Sequence, residues 1–425
     1  MLARMGSRGR GAGQTPAWMR IGATAVAAVV VAEGAAWLLR PREVVEPVAV
    51  AESAYFPAEQ VERARRHRSG QRLLFVGGIA AQGALLVLLV AGRPSVAREA
   101  LERAQERPLL GGAVAAGGLL VAVSAVALPF DLAAHERAVD VGLSTQDLGE
   151  WAADWGRATG VSAVIAAGLG TAALALIRRY RRRWWIPGSV AVVAVSAVFS
   201  WLAPVVLAPL FNDFEPLDEG PARSDALELG ERAGVEIGEV YRVDASRRST
   251  ALNAYIGGLG ATKRIVLYDT LLDDLDRGAR RSVIAHELAH VEGRDIARGL
   301  LFVALSAPLA LLFAAGLTEA LGRRAGAEPG SARSLPALVL SVAIAATVVG
   351  VAGNQLSRAV EARADTAALE LTDDPEALIS LQRRLAERNV SDPDPPDLVS
   401  FLLDSHPTTL ERIGAAEAWR AGERP

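Results

Sequence analysis

No cysteine occurs in the 425 residues. That excludes disulfides, thiolate metal sites, a cysteine nucleophile and S-acylation. Lysine occurs once, at Lys263, so the basic charge is almost all arginine. This bias points to a GC-rich, bacterial genome rather than to a function. The net charge is only −3, which leaves no electrostatic footprint for nucleic acid, and none is expected as a partner. Aromatic residues make up 5% of the chain. The 51% hydrophobic content therefore comes from long runs of Ala, Val, Leu and Ile. Length alone would allow two or three soluble domains, but a mean hydropathy of +0.25 argues against them.

A membrane-spanning helix needs about 20 apolar residues, because the hydrocarbon core is roughly 30 Å thick and a helix rises about 1.5 Å per residue. Seven stretches qualify: 21–39, 73–92, 109–130, 158–177, 189–210, 299–318 and 335–353. Only the first contains an ionisable residue, Glu33, which would need a partner at mid-bilayer. Its alternative reading is a cleaved signal, since Arg4, Arg8, Arg10 and Arg20 precede it. The length of the run and Glu33 itself favour a span. Residues 1–20 read as a disordered Gly- and Arg-rich tail, 21–210 as a five-span membrane domain, and 299–353 as two further spans.

Arginine clusters flank the spans, the densest being Arg178, Arg179, Arg181, Arg182 and Arg183. The tail and the loops after spans two, four and six carry about 16 Arg, against about 9 in the loops after spans one and three. Counted literally, the positive-inside rule puts the first set in the cytoplasm. Without the tail the balance is about 12 to 9.

Two hydrophilic blocks remain, 211–298 and 354–425. In the first, a helix is expected over 222–233, strands over 240–243, 254–256 and 264–268, and a helix over 276–295. Gly257, Gly258 and Gly260 punctuate the last two strands as a hairpin turn would. In the second block, helix continues to about residue 371, and helices follow near 374–388 and 408–420. The Asp- and Pro-rich stretch 392–396 separates them.

The chemistry concentrates in His286-Glu287-Leu288-Ala289-His290, an H-E-x-x-H sequence within the expected helix. Residues four apart share a helical face, so both imidazoles can reach one ion. Zinc is well matched to neutral imidazole, lowers the pKa of a coordinated water to about 7 and polarises a carbonyl. Glu287 lies one residue round, placed to take a proton without ligating.

A catalytic zinc wants a third protein ligand and an open position. Without cysteine that ligand must be His, Asp or Glu. Asn354, Arg358, Glu361 and Asp365 form one stripe of a helix that continues from the seventh span. Taken alone, the stripe could equally be a solvated, salt-bridged face. Two spans separate His290 from Glu361, so both lie on the same side of the membrane. Span six begins about nine residues after His290 and span seven ends about eight before Glu361. At about 1.5 Å per residue the ion would sit roughly 12–14 Å from the membrane edge. Glu361 is the expected third ligand. Asp365 is the carboxylate expected to fix a ligand His through its other ring nitrogen, with Asp295 a second candidate. His67, in an Arg-rich segment, reads as a surface residue, and His135 has no evident partner. His406 sits in a loop before Pro407, where Thr408 can cap a following helix.

Taken together these residues resemble the M48 family of membrane zinc metallopeptidases, most closely its Ste24 (CAAX prenyl protease 1) branch. The resemblance is carried by His286-Glu287-x-x-His290, by Asn354-x-x-x-Arg358-x-x-Glu361-x-x-Ala364-Asp365, and by His406-Pro407 with Arg412-Ile413. Ala208-Pro209-Leu210-Phe211-Asn212 and Asn253-Ala254-Tyr255 add to it. Seven spans also look more like this branch than the four-span HtpX-like branch. The resemblance implies one zinc ion per chain on His286, His290 and Glu361, with Glu287 as general base. It implies that His406 and Arg412 face substrate or the oxyanion. Asn253, Ala254 and Tyr255 would lie on an edge strand that pairs with an extended substrate. It further implies a water-filled chamber among the helices and a catalytic region in the cytoplasm, which is preferred here over the arginine count.

The fold expected is mainly α, a multi-pass (about seven-helix) integral membrane protein with a small α/β zincin-like catalytic region. The expected activity is endopeptidase cleavage of membrane-associated peptide or protein substrates at a bacterial plasma membrane. HtpX-like quality control is the alternative within the class. A scaffold or transporter is the rival outside it. An intact H-E-x-x-H disfavours the scaffold, and spans whose only ionisable residue is Glu33 disfavour the transporter.

Overall fold

The computed structural model describes residues 16–92, 94–257 and 263–425. Residues 1–15 of the tail, and Gly258 and Gly260 of the expected turn, lie outside the described residues. In chain order the N-terminal half forms α1 (Ala17–Leu39), α2 (Glu52–Tyr55), α3 (Ala58–Val87), α4 (Ser95–Arg103), α5 (Pro108–Asp140), α6 (Leu148–Tyr180) and α7 (Trp185–Leu202). The first hydrophilic block forms β1 (Phe214–Pro216), α8 (Pro221–Arg232), β2 (Glu239–Val243), β3 (Ala254–Gly257), β4 (Arg264–Tyr268), α9 (Asp269–Asp274) and α10 (Arg277–Glu292). The chain ends with α11 (Asp295–Ala325), α12 (Leu335–Thr372), α13 (Pro375–Arg388), α14 (Asp397–Leu403) and α15 (Thr409–Arg420).

Seven of these helices, α1, α3, α5, α6, α7, α11 and α12, are long and apolar enough to span a bilayer; five contain an expected run whole, and α3 and α7 carry theirs on through π and 3-10 turns to Gly92 and Leu210. Their outer faces show why lipid must surround them. Leu73, Val164 and Val190 are 73%, 74% and 70% exposed, a surface that would be costly in water. Small residues let the helices approach closely: a Cβ at Gly170 of α6 would stand 2.4 Å from the Ala116 Cβ of α5. Glu33 lies on an exposed face of α1, with no ion-pair partner among the described residues.

The extramembrane part is built around a four-stranded sheet in the order β1-β2-β4-β3. β2 and β4 are parallel, while β1 and β3 pair antiparallel with their neighbours. β3 is therefore an edge. Its ladder with β4, Ala254 opposite Leu267 through Gly257 opposite Arg264, agrees with the expected hairpin. A single core of Leu229, Val240, Ile265, Leu267, Ile284, Leu288, Leu378 and Ile413 joins the sheet to α8, α10, α13 and α15.

Four local features depart from expectation. The helix expected to reach residue 295 stops at Glu292, because Arg294 takes the left-handed conformation (φ 53°) and Asp295 starts a new helix. β1 and α14 were not expected; three and seven residues are too short for a periodic signal. His67 is not on the surface: it lies on α3 and is 3% exposed, since α3 extends well beyond its apolar run and packs against α5 and α12. His135 does have partners, stacking on Trp151 with ring centroids 5.1 Å apart and facing Ser144 Oγ at 3.5 Å.

Candidate active site

α10 carries the H-E-x-x-H residues, and its own caps and core fix its placement. Asp276 accepts a hydrogen bond from the Ala279 N–H at 2.8 Å and starts the helix. Ile284 and Leu288 are fully buried against the sheet, which turns His286 and His290 toward α12. One turn apart, their Nε2 atoms stand 3.2 Å from each other. Glu361 of α12 meets them: Oε2 lies 3.2 Å from His286 Nε2, and Oε1 lies 3.6 Å from His290 Nε2. One ligand atom from each of the three lies within 4.8 Å of the others.

The outer ring nitrogens decide what these inner atoms can do. His286 Nδ1 donates to Asp365 Oδ1 at 2.9 Å, and His290 Nδ1 donates to Asp295 Oδ2 at 2.9 Å. Carboxylates on both Nδ1 atoms hold the ring protons there, leaving the Nε2 lone pairs turned inward. Glu361 Oε2 is buried and, among the described residues, has nothing to pair with but the inward face of His286. Two imidazole nitrogens and a carboxylate oxygen converge on one point, an arrangement that repels unless a proton or a metal cation joins them. The charge balance agrees. Burial disfavours charge on His286, but the Asp365 and Glu361 carboxylates outweigh it and lift its pKa to about 10. The residues present therefore fit a metal ion.

The carboxylates that steady the rings are themselves held. Arg412 donates to Asp365 through Nε at 2.7 Å and Nη2 at 2.6 Å, a bidentate pair. Arg298 and Arg363 pair with Asp295, and Arg363 also reaches the Ala289 carbonyl. Sequence reasoning missed both arginines; Arg363, two residues after Glu361, could have been flagged as a counter-charge. Arg412, expected to face substrate or an oxyanion, instead spends its fork on Asp365, because a carboxylate 1% exposed requires a counter-ion. His406 does reach the site: Nε2 lies 3.4 Å from Glu361 Oε1, and the side chain is 59% exposed at the mouth. Thr408 and Glu411 form the capping box that starts α15, as the sequence suggested for Thr408.

Asn354 and Arg358 share the α12 stripe but not the metal-site contacts. Asn354 Nδ2 donates to the Leu402 carbonyl at 3.0 Å, and Arg358 Nη1 donates to the Ser400 and Asp404 carbonyls at 2.8 and 2.9 Å. They fasten the segment that leads to His406. Glu287 faces the edge strand, where the Ile256 backbone favours its charged form. Burial raises the Glu287 pKa above the usual carboxylate value, with Glu361 adding to the effect and the two histidines opposing it. Asn253 is exposed ahead of β3, its Oδ1 accepting from the Ala254 N–H at 3.0 Å. Tyr255 lines a shallow apolar cleft of about 360 Å³ with Ala203, Pro204, Leu207, Ala208 and Phe211, where α7 leaves its span.

Comparison with known proteins agrees with this architecture. Residues 216–420 match Peptidase family M48, and residues 43–213 match the CAAX prenyl protease N-terminal region of five membrane helices. The chain is 31% identical to the uncharacterized metalloprotease YhfN of Bacillus subtilis, over 86% of this chain and 87% of that protein. It is 33% identical to a CAAX prenyl protease 1 homolog of Oryza sativa, over 53% of this chain and 53% of that one, so this match spans about half the relative's length. The crystal structure of S. mikatae Ste24p superposes with a TM-score of 0.76 at 20% identity, covering 95% of this chain and all of that one; at this identity the likeness speaks for the fold. With two histidines and a glutamate placed between α10 and α12 where they could hold a metal, and seven helices long and apolar enough to span a bilayer, the chain belongs to peptidase family M48 and is a multi-pass membrane metalloprotease.

Proposed function

We propose that the chain is a zinc endopeptidase that hydrolyses peptide bonds in extended, membrane-associated polypeptides close to the membrane surface. The observation that carries the reading is the convergence of His286 Nε2, His290 Nε2 and the buried Glu361 Oε2 beside Glu287. Two imidazoles, one carboxylate and no thiolate form a donor set of the catalytic-zinc kind. A zinc ion bound there supplies Lewis acidity for the scissile carbonyl and acidifies the attacking water.

The chain's own groups do the rest. Glu287, whose burial raises its proton affinity, takes a proton from the attacking water and passes it to the departing amine. Asp365 and Asp295 keep the two imidazoles in the ligating tautomer, and Arg412 holds Asp365 in place. His406, at the mouth beside Glu361, is placed to donate toward the oxyanion. The free edge of β3 offers backbone groups to an extended substrate, and the apolar cleft at Tyr255 favours apolar side chains beside it.

The catalytic region is assigned to the cytoplasmic face of a bacterial plasma membrane, following the family resemblance. Prenylated CAAX substrates belong to the names of the eukaryotic relatives and are not adopted here, because a bacterium without protein prenylation would hold none. Glu287→Gln is the deciding variant. It should keep its metal and lose cleavage by about 10²–10⁴-fold. In native membranes it should also retain uncleaved substrates that mass spectrometry can identify. Undiminished proteolysis by this variant would remove Glu287 from its role.

A further inference from the structure

The outward-facing backbone groups of β3 can be assigned from its register. The Tyr268 N–H donates to the Asn253 carbonyl at 3.2 Å, so Asn253, Tyr255 and Gly257 bond inward to β4. Ala254 and Ile256 then turn their N–H and C=O groups outward, along the edge where a substrate would pair, and Leu252, two residues ahead of β3, falls on the same side by that alternation. At Ile256 the N–H meets Glu287. At Ala254 the N–H is covered by Asn253 Oδ1 at 3.0 Å. The carbonyls of Ala254 and Ile256 have no backbone partner outside the strand ladder among the described residues.

Leu252 differs. A single side chain from another element takes both of its groups: Asn389 Oδ1 accepts from the Leu252 N–H at 2.8 Å, and Asn389 Nδ2 donates to the Leu252 carbonyl at 3.2 Å. Those are the two bonds that a neighbouring strand residue would exchange with Leu252. Asn389 is held from behind. It closes α13, and Arg68 of α3 donates to the Asn389 carbonyl at 2.8 Å, the Val390 carbonyl at 3.0 Å and Ser391 Oγ at 2.9 Å. Val390 is kept in the left-handed region (φ 46°), which a β-branched residue resists.

We propose that Asn389 is a specificity-determining stop that occupies the next pairing position on the substrate edge. An extended substrate pairs through the outward carbonyls of Ala254 and Ile256 and cannot continue along the sheet past Leu252. At about 3.3 Å per residue, Leu252 lies roughly 13 Å along the strand from Ile256, where Glu287 acts. On one side of the scissile bond, then, the sheet-paired part of the substrate is confined to about four residues. This inference rests on the edge-strand reading above. A mere tie between α13 and the sheet would need no such matched pair of bonds and would set no length limit.

Two peptide ladders separate these readings. Each carries one cleaved sequence, lengthened one residue at a time on one side or the other of the scissile bond. They are assayed with the full-length, metal-loaded protein in nanodiscs, with products read by mass spectrometry. For the wild type, kcat/KM should fall about tenfold or more at one length in one ladder only, as expected when a backbone-pairing position is blocked. In Asn389→Ala the break should move outward by about two residues, the spacing of outward-facing groups on a strand. Asn389→Ser, which cannot bridge both Leu252 groups, should shift it likewise if the alanine variant fails to fold. A break at the wild-type length in a folded variant overturns the proposal, as does a wild type with no break in either ladder. Failure of the wild type to cleave any peptide would overturn the peptidase reading itself, which Glu287→Gln tests separately.

Discussion

Replacing Asp365 with Asn changes one buried charge and acts on two observables. Asp365 is 1% exposed and receives His286 Nδ1 at 2.9 Å and Arg412 at 2.6 and 2.7 Å. An amide of the same size cannot accept at both atoms, and it takes from the largely buried Arg412 the carboxylate that it grips. Breaking one side of such a pair costs about 3–5 kcal/mol of stability. Replacing the carboxylate on His286 Nδ1 by a neutral amide should also weaken metal binding about 10–100-fold. Arg412→Met separates the two effects. The His286–Asp365 bond survives in it, so stability should fall while metal affinity changes by less than about tenfold. The double variant removes both charges. Its stability should recover above that of either single variant, while its metal affinity stays at the Asp365→Asn level. Thermal unfolding of the metal-stripped protein in detergent reads the first quantity, and competition with a chromophoric zinc chelator reads the second. An Asp365→Asn protein that unfolds with the wild type and binds zinc within about twofold of it would refute the reasoning.

Other outcomes follow from the same geometry. His286 has its metal-free pKa lifted to about 10, so near neutrality the empty site holds a proton that a metal must displace. Apparent zinc affinity should then rise about tenfold per pH unit through the neutral range, with about one extra proton released on binding. Calorimetry in buffers of different ionisation enthalpy checks this, and a flat profile would contradict it. The absence of cysteine makes membrane orientation directly testable. Arg420→Cys, on the catalytic side, should resist a membrane-impermeant maleimide in intact cells and react after lysis; Arg182→Cys, in the loop across the membrane, should do the reverse. The opposite pattern would place the catalytic region outside.

The membrane plan was legible because a bilayer demands about 20 uncharged residues per crossing, and no soluble core imposes that requirement. The H-E-x-x-H helix was legible because its spacing is itself the geometry. Glu361 could be picked from its stripe once the even number of intervening spans put it on the same side as His290. What the rest of the stripe does was not legible. Asn354 and Arg358 turn to the carbonyls of Ser400, Leu402 and Asp404 because α14 lies across α12, and α14 is too short to announce itself. The bidentate bond from Arg412 to Asp365 joins residues 47 apart in the chain. It follows from the need of a buried carboxylate for a partner, which appears only once burial is known. The break at Arg294 was hidden for a similar reason. A non-glycine residue in the left-handed region carries no signal of its own.

Everything proposed for this site depends on one metal ion held by His286, His290 and Glu361. X-ray absorption at the zinc edge, on the purified protein and on Glu361→Ala, tests it most directly. One zinc per chain is expected, with two imidazoles and a carboxylate in its shell, and most of that zinc should be lost in the variant. A shell without imidazole, or full zinc retention by Glu361→Ala, would contradict it.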